Sequence, residues 1–179
     1  NIGDYKHLIP MSLDVDLFED DCFVYQFYEE KLTLRKVKKS DKQLIVPFSV
    51  EGFQIEAINP ESVLPSNIEE IYIGKNIESL GENLVGLSVH APSVKHAYVD
   101  PSNDKMESYG QIVYRNSFPY YIPASASIIQ FKPIATIGKN FLKDHETVET
   151  IVFQSGTQKL ESYAVENCPK LLKAYVPEE

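Results

Sequence analysis

The stretch VETIVFQSGTQKLESYAVENCPK (148–170) decides the fold. Apolar side chains recur in it at fixed offsets, and the same spacing begins again 23 residues after Val148, at Leu171. Most of these offsets also occur far upstream, in the window that begins at Ile68. The apolar positions of the two windows are Val148, Ile151, Phe153, Leu160, Ala164, Val165 and Cys168, and Ile68, Ile71, Ile73, Ile77, Leu80, Leu84 and Val85. This periodicity predicts an array of units of about 23 residues.

Each unit begins with a short strand of the form Ile-x-Ile, whose alternate residues point to one side. A turn follows, as at Ser155-Gly156, and a short helical or irregular stretch then directs two adjacent bulky residues inward. One unit cannot bury its apolar edge alone. Stacked units bury a continuous core, with equivalent strands about 4.8 Å apart in ladders. The pattern predicts a β-dominated α/β solenoid.

The N-terminal part of the chain departs from the repeat. Residues 1–43 contain CFVYQFYEEKLTLRKVKK, which predicts two alternating strands, at 22–28 and 32–38, joined by a turn. We expect residues 1–43 to form an N-terminal segment with a β-hairpin cap, because the end of a solenoid must be covered to stay soluble. Residues 44–179 then form the solenoid domain.

A second departure lies at 100–133, within the array. This segment is rich in aromatic residues and contains two short apolar runs, at 112–114 and 120–122. We interpret it as an insertion in which these runs form a hairpin that bulges from one unit.

The quoted stretch resembles the BspA-like leucine-rich repeats of bacterial surface proteins. Residues 148–170 match that unit in spacing, with Cys168 at its cysteine position, and residues 134–151 keep its Ile-Gly step. Other units depart from the pattern, with Ser88 or His145 at the cysteine position. The resemblance implies a right-handed, leucine-rich-repeat-like array in an extracellular or cell-surface bacterial protein, secreted or held by a lipid anchor upstream. It implies binding of macromolecules and no catalysis, and it supplies no binding residue by position.

Composition excludes several classes of function. The net charge of −9 would repel a phosphate backbone, so we expect no nucleic-acid partner. No stretch approaches the roughly 20 apolar residues of a membrane span, so we expect no transmembrane segment in this chain. Cys22 and Cys168 lie near opposite ends of the predicted array, beyond the roughly 7 Å reach of a disulfide, and are expected to be buried thiols. Because residue 1 is Asn1, we interpret the chain as processed or trimmed.

The chemistry-bearing residues do not form a catalytic motif. No His-Glu-x-x-His, Gly-x-Ser-x-Gly, Cys-x-x-Cys or phosphate-binding glycine loop occurs. His145 occupies a repeat core position and is expected to be structural. His90 and His96 flank a turn, and a metal-binding role is disfavoured for them. Paired carboxylates of a glycoside hydrolase would need a cleft that repeats seldom build. We therefore predict no enzyme and no cofactor.

Two acidic clusters and one basic cluster leave alternatives open. The acidic clusters DVDLFEDD (14–21) and VDPSND (99–104) lack the glycine of a tight calcium-binding turn, so a solvated acidic face is favoured over calcium binding. The basic residues either keep an edge strand from pairing with other chains or bind an anionic partner. This basic cluster consists of Lys31, Arg35, Lys36, Lys38, Lys39 and Lys42.

The repeat predicts which residues face outward, because the middle residue of each Ile-x-Ile strand points away from the core. This column is apolar or aromatic throughout, although a solvated sheet face would carry Thr, Ser, Lys or Glu. Its members are Ile45, Tyr72, Tyr98, Val152 and Tyr175, with His96 and Lys173 diagonally beside them. Tyrosine offers a large rigid surface and a hydroxyl, as in interface hot spots. Tyr120 and Tyr121 of the insertion are further candidates for partner binding.

Alternatives remain for this column and for the function. Residues 1–20 or the aromatic insertion could fold back over the column, and cross-strand aromatic pairs also stabilise ladders without binding anything. The first functional hypothesis is a non-catalytic, exported or cell-surface adhesion-type module that binds a protein or glycan at the cell exterior. The second is a structural spacer or assembly subunit of a larger surface protein.

Overall fold

The computed structural model describes residues 9–10, 16–82, 84–85, 90–134 and 136–178. These residues form eighteen β-strands and no helix. In chain order the strands are β1 (Ile9–Pro10), β2 (Leu17–Glu19), β3 (Phe23–Tyr28), β4 (Lys31–Val37), β5 (Gln43–Ile45), β6 (Ser49–Val50), β7 (Phe53–Ile58), β8 (Glu70–Ile73), β9 (Ser79–Leu80), β10 (His96–Val99), β11 (Met106–Tyr109), β12 (Ile112–Arg115), β13 (Phe118–Tyr121), β14 (Ile128–Gln130), β15 (Thr136–Ile137), β16 (Thr150–Val152), β17 (Lys159–Leu160) and β18 (Lys173–Tyr175).

The strands wind into a β-solenoid of about six turns. Two parallel three-stranded sheets, β5–β8–β10 and β14–β16–β18, form one wall of it. In the first sheet Leu44, Ile71 and Ala97 share one register position, and all three side chains are buried. In the second sheet Ile129 and Ile151 are paired and buried in the same way. The Ile-x-Ile strands therefore stack as the periodicity predicts.

The length of the coil varies along the array. Register-equivalent residues are 27 and 26 positions apart in the first sheet, and 22 and 23 apart in the second. A uniform unit of 23 residues is therefore not confirmed. The helical part of the expected α/β unit is not confirmed either, because in the described residues the return stretches are turns and short strands. The parallel pairs β7–β9 and β15–β17 form the second wall.

An antiparallel sheet of strands β1 to β4 covers the N-terminal end of the coils. β3 and β4 occupy the two segments predicted to be strands, and β4 continues into the solenoid by pairing in parallel with β7. Tyr25, Leu32 and Leu34 from this sheet are fully buried in the same core as Leu44 and Ile71. The division into domains at 1–43 and 44–179 stays a prediction.

The insertion is a three-stranded antiparallel sheet, β11–β12–β13, and it does not bulge outward as expected. Its central strand β12 is buried on both faces. Val113 belongs to the N-terminal core, whereas Ile112 and Tyr114 belong to a second core that continues to the last coils. Alternate side chains of one strand thus join the two cores, so the insertion lies between the two halves of the array.

Candidate binding face

Two parallel rows of outward side chains line the wall formed by the two three-stranded sheets, and together we call them the tyrosine face. Strand register aligns each row across three strands at a time. The outer row comprises Ile45, Tyr72, Tyr98, Gln130, Val152 and Tyr175. The flanking row comprises Gln43, Glu70, His96, Ile128, Thr150 and Lys173. The outer row contains the column that the repeat predicts, with Gln130 as an added member.

Several members of the outer row expose their apolar or aromatic surface. Ile45 is 57% exposed, Tyr98 41% and Tyr175 54%. Lys173 is exposed beside Tyr175, and His96 is half-buried beside Tyr98. Because side chains of register neighbours on adjacent strands lie about 4.5–5.5 Å apart, aligned members of one sheet form a continuous strip. Tyr98, Tyr175, His96 and Lys173 are therefore placed where a partner could reach them.

Tyr72 is held in place rather than left mobile on this face. Its hydroxyl donates a hydrogen bond of 2.8 Å to Asp100 Oδ2, and this bond raises the pKa of the Tyr72 phenol. The Asp100 carboxylate also accepts a bond from the Ser102 backbone N–H, which is the largest cause of its lowered pKa. Asp100 thus belongs to a turn that orients a tyrosine, a role different from the calcium ligand considered for its cluster.

A stacked pair of rings connects the flanking row to the outer row. The His96 and Tyr98 rings are 6.2 Å apart between centroids with an interplanar angle of 29°. His96 Nδ1 also lies 2.8 Å from Oε1 of Gln111, which comes from the turn between β11 and β12. The ring is therefore fixed from two sides, by Tyr98 on its own strand and by the insertion.

The turn of the insertion fills a gap in the wall. Among the described strands, β10 and β14 do not pair with each other, and the turn at Gly110 lies beside β14, where its carbonyl accepts a 2.9 Å hydrogen bond from Gln130 N–H. The neighbouring Tyr109 hydroxyl accepts bonds from the side-chain amides of Gln130 and Gln154. We therefore add Tyr109, which the repeat does not predict, to the tyrosine face. The Tyr-Gly-Gln sequence indicates a turn at this point, but the repeat does not predict which strand the turn packs against.

The other two tyrosines predicted to bind a partner lie elsewhere. Tyr121 is 1% exposed in the N-terminal core, so its burial corrects the expectation that it offers a contact surface. Tyr120 is half-buried, and its hydroxyl both donates to the Leu80 carbonyl at 2.5 Å and accepts from the Leu80 N–H at 3.1 Å. Arg115 lies over the Tyr120 ring. These contacts give both residues a packing role and remove them from the tyrosine face.

Most of the basic cluster is neutralised by carboxylates. Lys31 pairs with Glu56, Arg35 with Glu61, Lys38 with Glu19 and Lys42 with Glu69, each within 2.9 Å. These ion pairs leave little free positive charge, which disfavours the anionic-partner alternative. Ion pairs at such exposed sites contribute only about 0–1 kcal/mol of stability each.

The remaining polar candidates are structural where they are described. Asp20 caps a turn, because its Oδ1 accepts the backbone N–H groups of Cys22 and Phe23. His145 is buried and hydrogen-bonded to backbone, whereas Ser88 and Asp14 lie outside the described residues. Within the described ranges no group of three or more His, Cys, Asp or Glu residues could hold a metal ion. No described helix is long and apolar enough to cross a membrane.

Both cysteines are free thiols and partly buried. Burial raises the pKa of the Cys168 thiol, and its sulfur donates to the Leu142 carbonyl at 3.1 Å. This contact joins two successive coils, as a repeat core position should.

Comparisons with known proteins give similarities of fold. No family model matches the chain, and no curated protein matches it. The chain is similar to the pneumococcal vaccine antigen PcpA, with 12% identity and a TM-score of 0.46 over 90% of this chain and 70% of the antigen. It is also similar to a leucine-rich repeat protein from Bacteroides capillosus, with 10% identity and a TM-score of 0.41 over 91% of this chain and 99% of the other.

A third similar structure is a leucine-rich cell surface protein from Faecalibacterium prausnitzii, with 8% identity and a TM-score of 0.40 over 89% of this chain and 76% of that one. The first of these last two structures is thus described as a leucine-rich repeat protein and the second as a leucine-rich cell surface protein.

Proposed function

We propose that the chain is a non-catalytic, right-handed, leucine-rich-repeat-like module of an exported or cell-surface protein, and that it binds an extracellular macromolecule through the tyrosine face. The observation that carries the proposal is the register of the outer row, which aligns exposed Ile45 and Tyr98 across one sheet and places exposed Tyr175 in the other. A solvated sheet face without a partner would carry polar residues at these positions.

The chemistry of this face suits recognition of a large partner. Tyrosine combines a rigid apolar ring with a hydroxyl, so it contributes contact area at low entropic cost. The Tyr72 hydroxyl and the Tyr109 hydroxyl are already hydrogen-bonded within the protein, which orients their rings before a partner arrives. Preorganised side chains lose less freedom on binding, and this improves affinity.

The described residues do not cover the face. Tyr98 and Tyr175 keep about half of their surface in solvent, and the insertion contributes Tyr109 to the face instead of folding over it. Side chains of residues 1–15 lie outside the described structure. The exposed tyrosines therefore support the interaction alternative over the purely structural one.

Substitution of exposed tyrosines tests the proposal. We expect Tyr98→Ser and Tyr175→Ser each to weaken binding by about tenfold or more, because a hot-spot aromatic at an interface contributes about 1–2 kcal/mol or more. Binding is measured by biolayer interferometry against a fixed panel of extracellular-matrix proteins and mucin glycoproteins. Tyr28→Ser is the matched control, since Tyr28 is 69% exposed but lies in the N-terminal sheet, away from the face.

Circular dichroism and melting temperature must show that the variants remain folded. If every binding partner on the panel retains its affinity for both face variants, the proposal is wrong. Equal losses in the Tyr28 control would locate the interaction outside the tyrosine face and contradict it as well.

The second function, an assembly subunit, predicts that copies of the chain associate with one another. Sedimentation velocity separates the two functions, because self-association that increases with concentration supports assembly, whereas a monomer that binds the panel supports recognition.

A further inference from the structure

A cavity of about 240 Å³ opens on the tyrosine face at the junction of the two halves of the array. It occupies the flanking row between His96 of β10 and Ile128 of β14, where the wall is interrupted. Its lining residues are Lys95, His96, Gln111, Ser125, Ser127 and Ile128. The cavity exists because the turn of the insertion, and not another repeat strand, fills this gap.

The His96 and Gln111 side chains in the cavity are hydrogen-bonded to each other, and each keeps a further group that could hydrogen-bond a ligand. His96 Nδ1–H, in the tautomer that satisfies this contact, donates to Gln111 Oε1 at 2.8 Å. This leaves the His96 Nε2 lone pair as an acceptor and the Gln111 amide N–H groups as donors. Neither nitrogen has a hydrogen-bond partner in the described part of the chain. Ser125 Oγ donates to the Pro92 carbonyl at 2.6 Å, so its lone pairs remain acceptors.

The charges around the cavity cancel. The cation at its rim, Lys95, lies 3.5 Å from a carboxylate oxygen of Glu69, which is also paired with Lys42. Glu70 is the register neighbour of His96 on the adjacent strand. Lys95 is thus already paired, and the two glutamates lie beside lining residues of the cavity. No net charge favours a charged ligand here, so the site suits a neutral ligand with several hydroxyl groups.

Two aromatic rings lie near lining residues of the cavity, on its outer-row side. Tyr98 stacks on His96, and Tyr109 hydrogen-bonds Gln130, two residues beyond Ile128 on the same face of β14. A pyranose ring presents hydroxyls at its edge and C–H groups on its face. The C–H groups carry partial positive charge and pack against the negative face of an aromatic ring. Donors, acceptors and rings are thus arranged for one sugar.

We propose that this cavity binds one neutral sugar ring of a glycan, with His96 and Gln111 hydrogen-bonding its hydroxyls and Tyr98 bordering its C–H face. This inference rests on the proposed function, because it names the ligand class that the tyrosine face recognises. It makes Gln111 a specificity-determining residue that comes from the insertion and not from a repeat.

Saturation-transfer difference NMR on the full chain tests the inference with the methyl glycosides of galactose, mannose and N-acetylglucosamine as neutral probes. N-acetylneuraminic acid and glucosamine serve as charged probes. At least one neutral glycoside should bind, with a dissociation constant on the order of millimolar. Gln111→Ala should weaken this binding about fivefold or more, because it removes the amide donors. Ser127→Leu, which fills the cavity without altering Gln111, should also abolish it.

Gln158→Ala is the matched control, because Gln158 is exposed and directly precedes β17, outside the cavity. Binding of a neutral glycoside that Gln158→Ala retains and the two cavity variants lose supports the inference. Binding of charged probes alone, unchanged binding in both cavity variants, or no binding of any neutral probe overturns it. The tyrosine variants decide the proposed function separately, since protein binding that depends on Tyr98 and Tyr175 survives a failed sugar site.

Discussion

Replacing Gly110 with alanine should separate the insertion from the second half of the array. Gly110 lies in the turn between β11 and β12 with φ of +57°, in the left-handed region that glycine adopts without strain. A Cβ at this position would lie 2.1 Å from the Gln130 carbonyl oxygen and 2.7 Å from the Gln130 Cβ. A Cβ cannot lie so close to a carbonyl oxygen or to another carbon atom, so the turn must move away from β14.

The expected cost has two parts. A left-handed conformation costs a non-glycine residue about 1–2 kcal/mol. Displacing the turn also breaks the hydrogen bond from Gln130 N–H to the Gly110 carbonyl, which contributes about 1 kcal/mol. The sum of about 2–3 kcal/mol corresponds to a fall in melting temperature of about 4–12 °C for a chain of this size, if unfolding is two-state.

Two other glycines serve as controls in the same thermal unfolding assay. Gly156 has φ of +98° but no atom within 4 Å of an added Cβ, so Gly156→Ala reports the backbone strain alone. Gly138 has neither a positive φ nor a close neighbour, so Gly138→Ala should leave the melting temperature nearly unchanged. Gly110→Ala must therefore be the least stable of the three. If Gly110→Ala and Gly156→Ala have the same melting temperature, the close packing of the turn against β14 does not stabilise the protein.

Two further predictions concern buried polar side chains. His145 is neutral in the fold, with Nε2–H donating to the Pro123 carbonyl and Nδ1 accepting the Val148 N–H, and burial lowers its pKa. The unfolded chain therefore protonates this histidine at a higher pH than the folded chain does. The stabilising contribution of neutral His145 is complete above the usual pKa of about 6.5, and below it stability falls by up to about 1.4 kcal/mol per pH unit. Between pH 7.5 and pH 5.5 the melting temperature should fall less in His145→Gln than in the unaltered protein, and equal falls would contradict the assignment. Asn103→Ala should cost about 3 kcal/mol in urea unfolding, because it leaves two carbonyls and two N–H groups without their partner, whereas the exposed Asn67→Ala control should cost less than about 1 kcal/mol.

The repeat wall was predictable because its signal is local and repeated. Inward positions such as Ile71 and Ile151 follow the two-residue period of a strand, and each coil places the same residue type at the same point of the ladder. The outward positions follow from the same period, which is why Tyr98 and Tyr175 could be located without coordinates. Such a period does not specify how many residues return the chain to the next strand. Coil length and the absence of helix in the described residues depend on packing between coils and could not be read from it.

The position predicted for the insertion was wrong because its two apolar runs were interpreted as a hairpin at the periphery of the array. β12 begins with Ile-Val-Tyr, a continuous apolar run, and such runs are typical of strands buried on both faces. An exposed hairpin would instead alternate apolar and polar residues. This contrast indicates a central strand, but it does not say which two surfaces cover it. The same limit applies to Tyr120 and Tyr121, whose environments depend on the contact of β13 with the N-terminal coils.

The placement of β12 links stability to the candidate binding face. Val113 packs in one core and Ile112 and Tyr114 pack in the other, so the position of the turn before β12 depends on the packing of both halves. That turn places Tyr109 against Gln130 of the outer row and Gln111 in the lining of the cavity. A change at Gly110 should therefore disturb two cores and the recognition surface together, whereas a change at exposed Tyr175 should affect recognition alone. Under the proposed function, the specificity of the module would therefore depend on the insertion and not on the repeats.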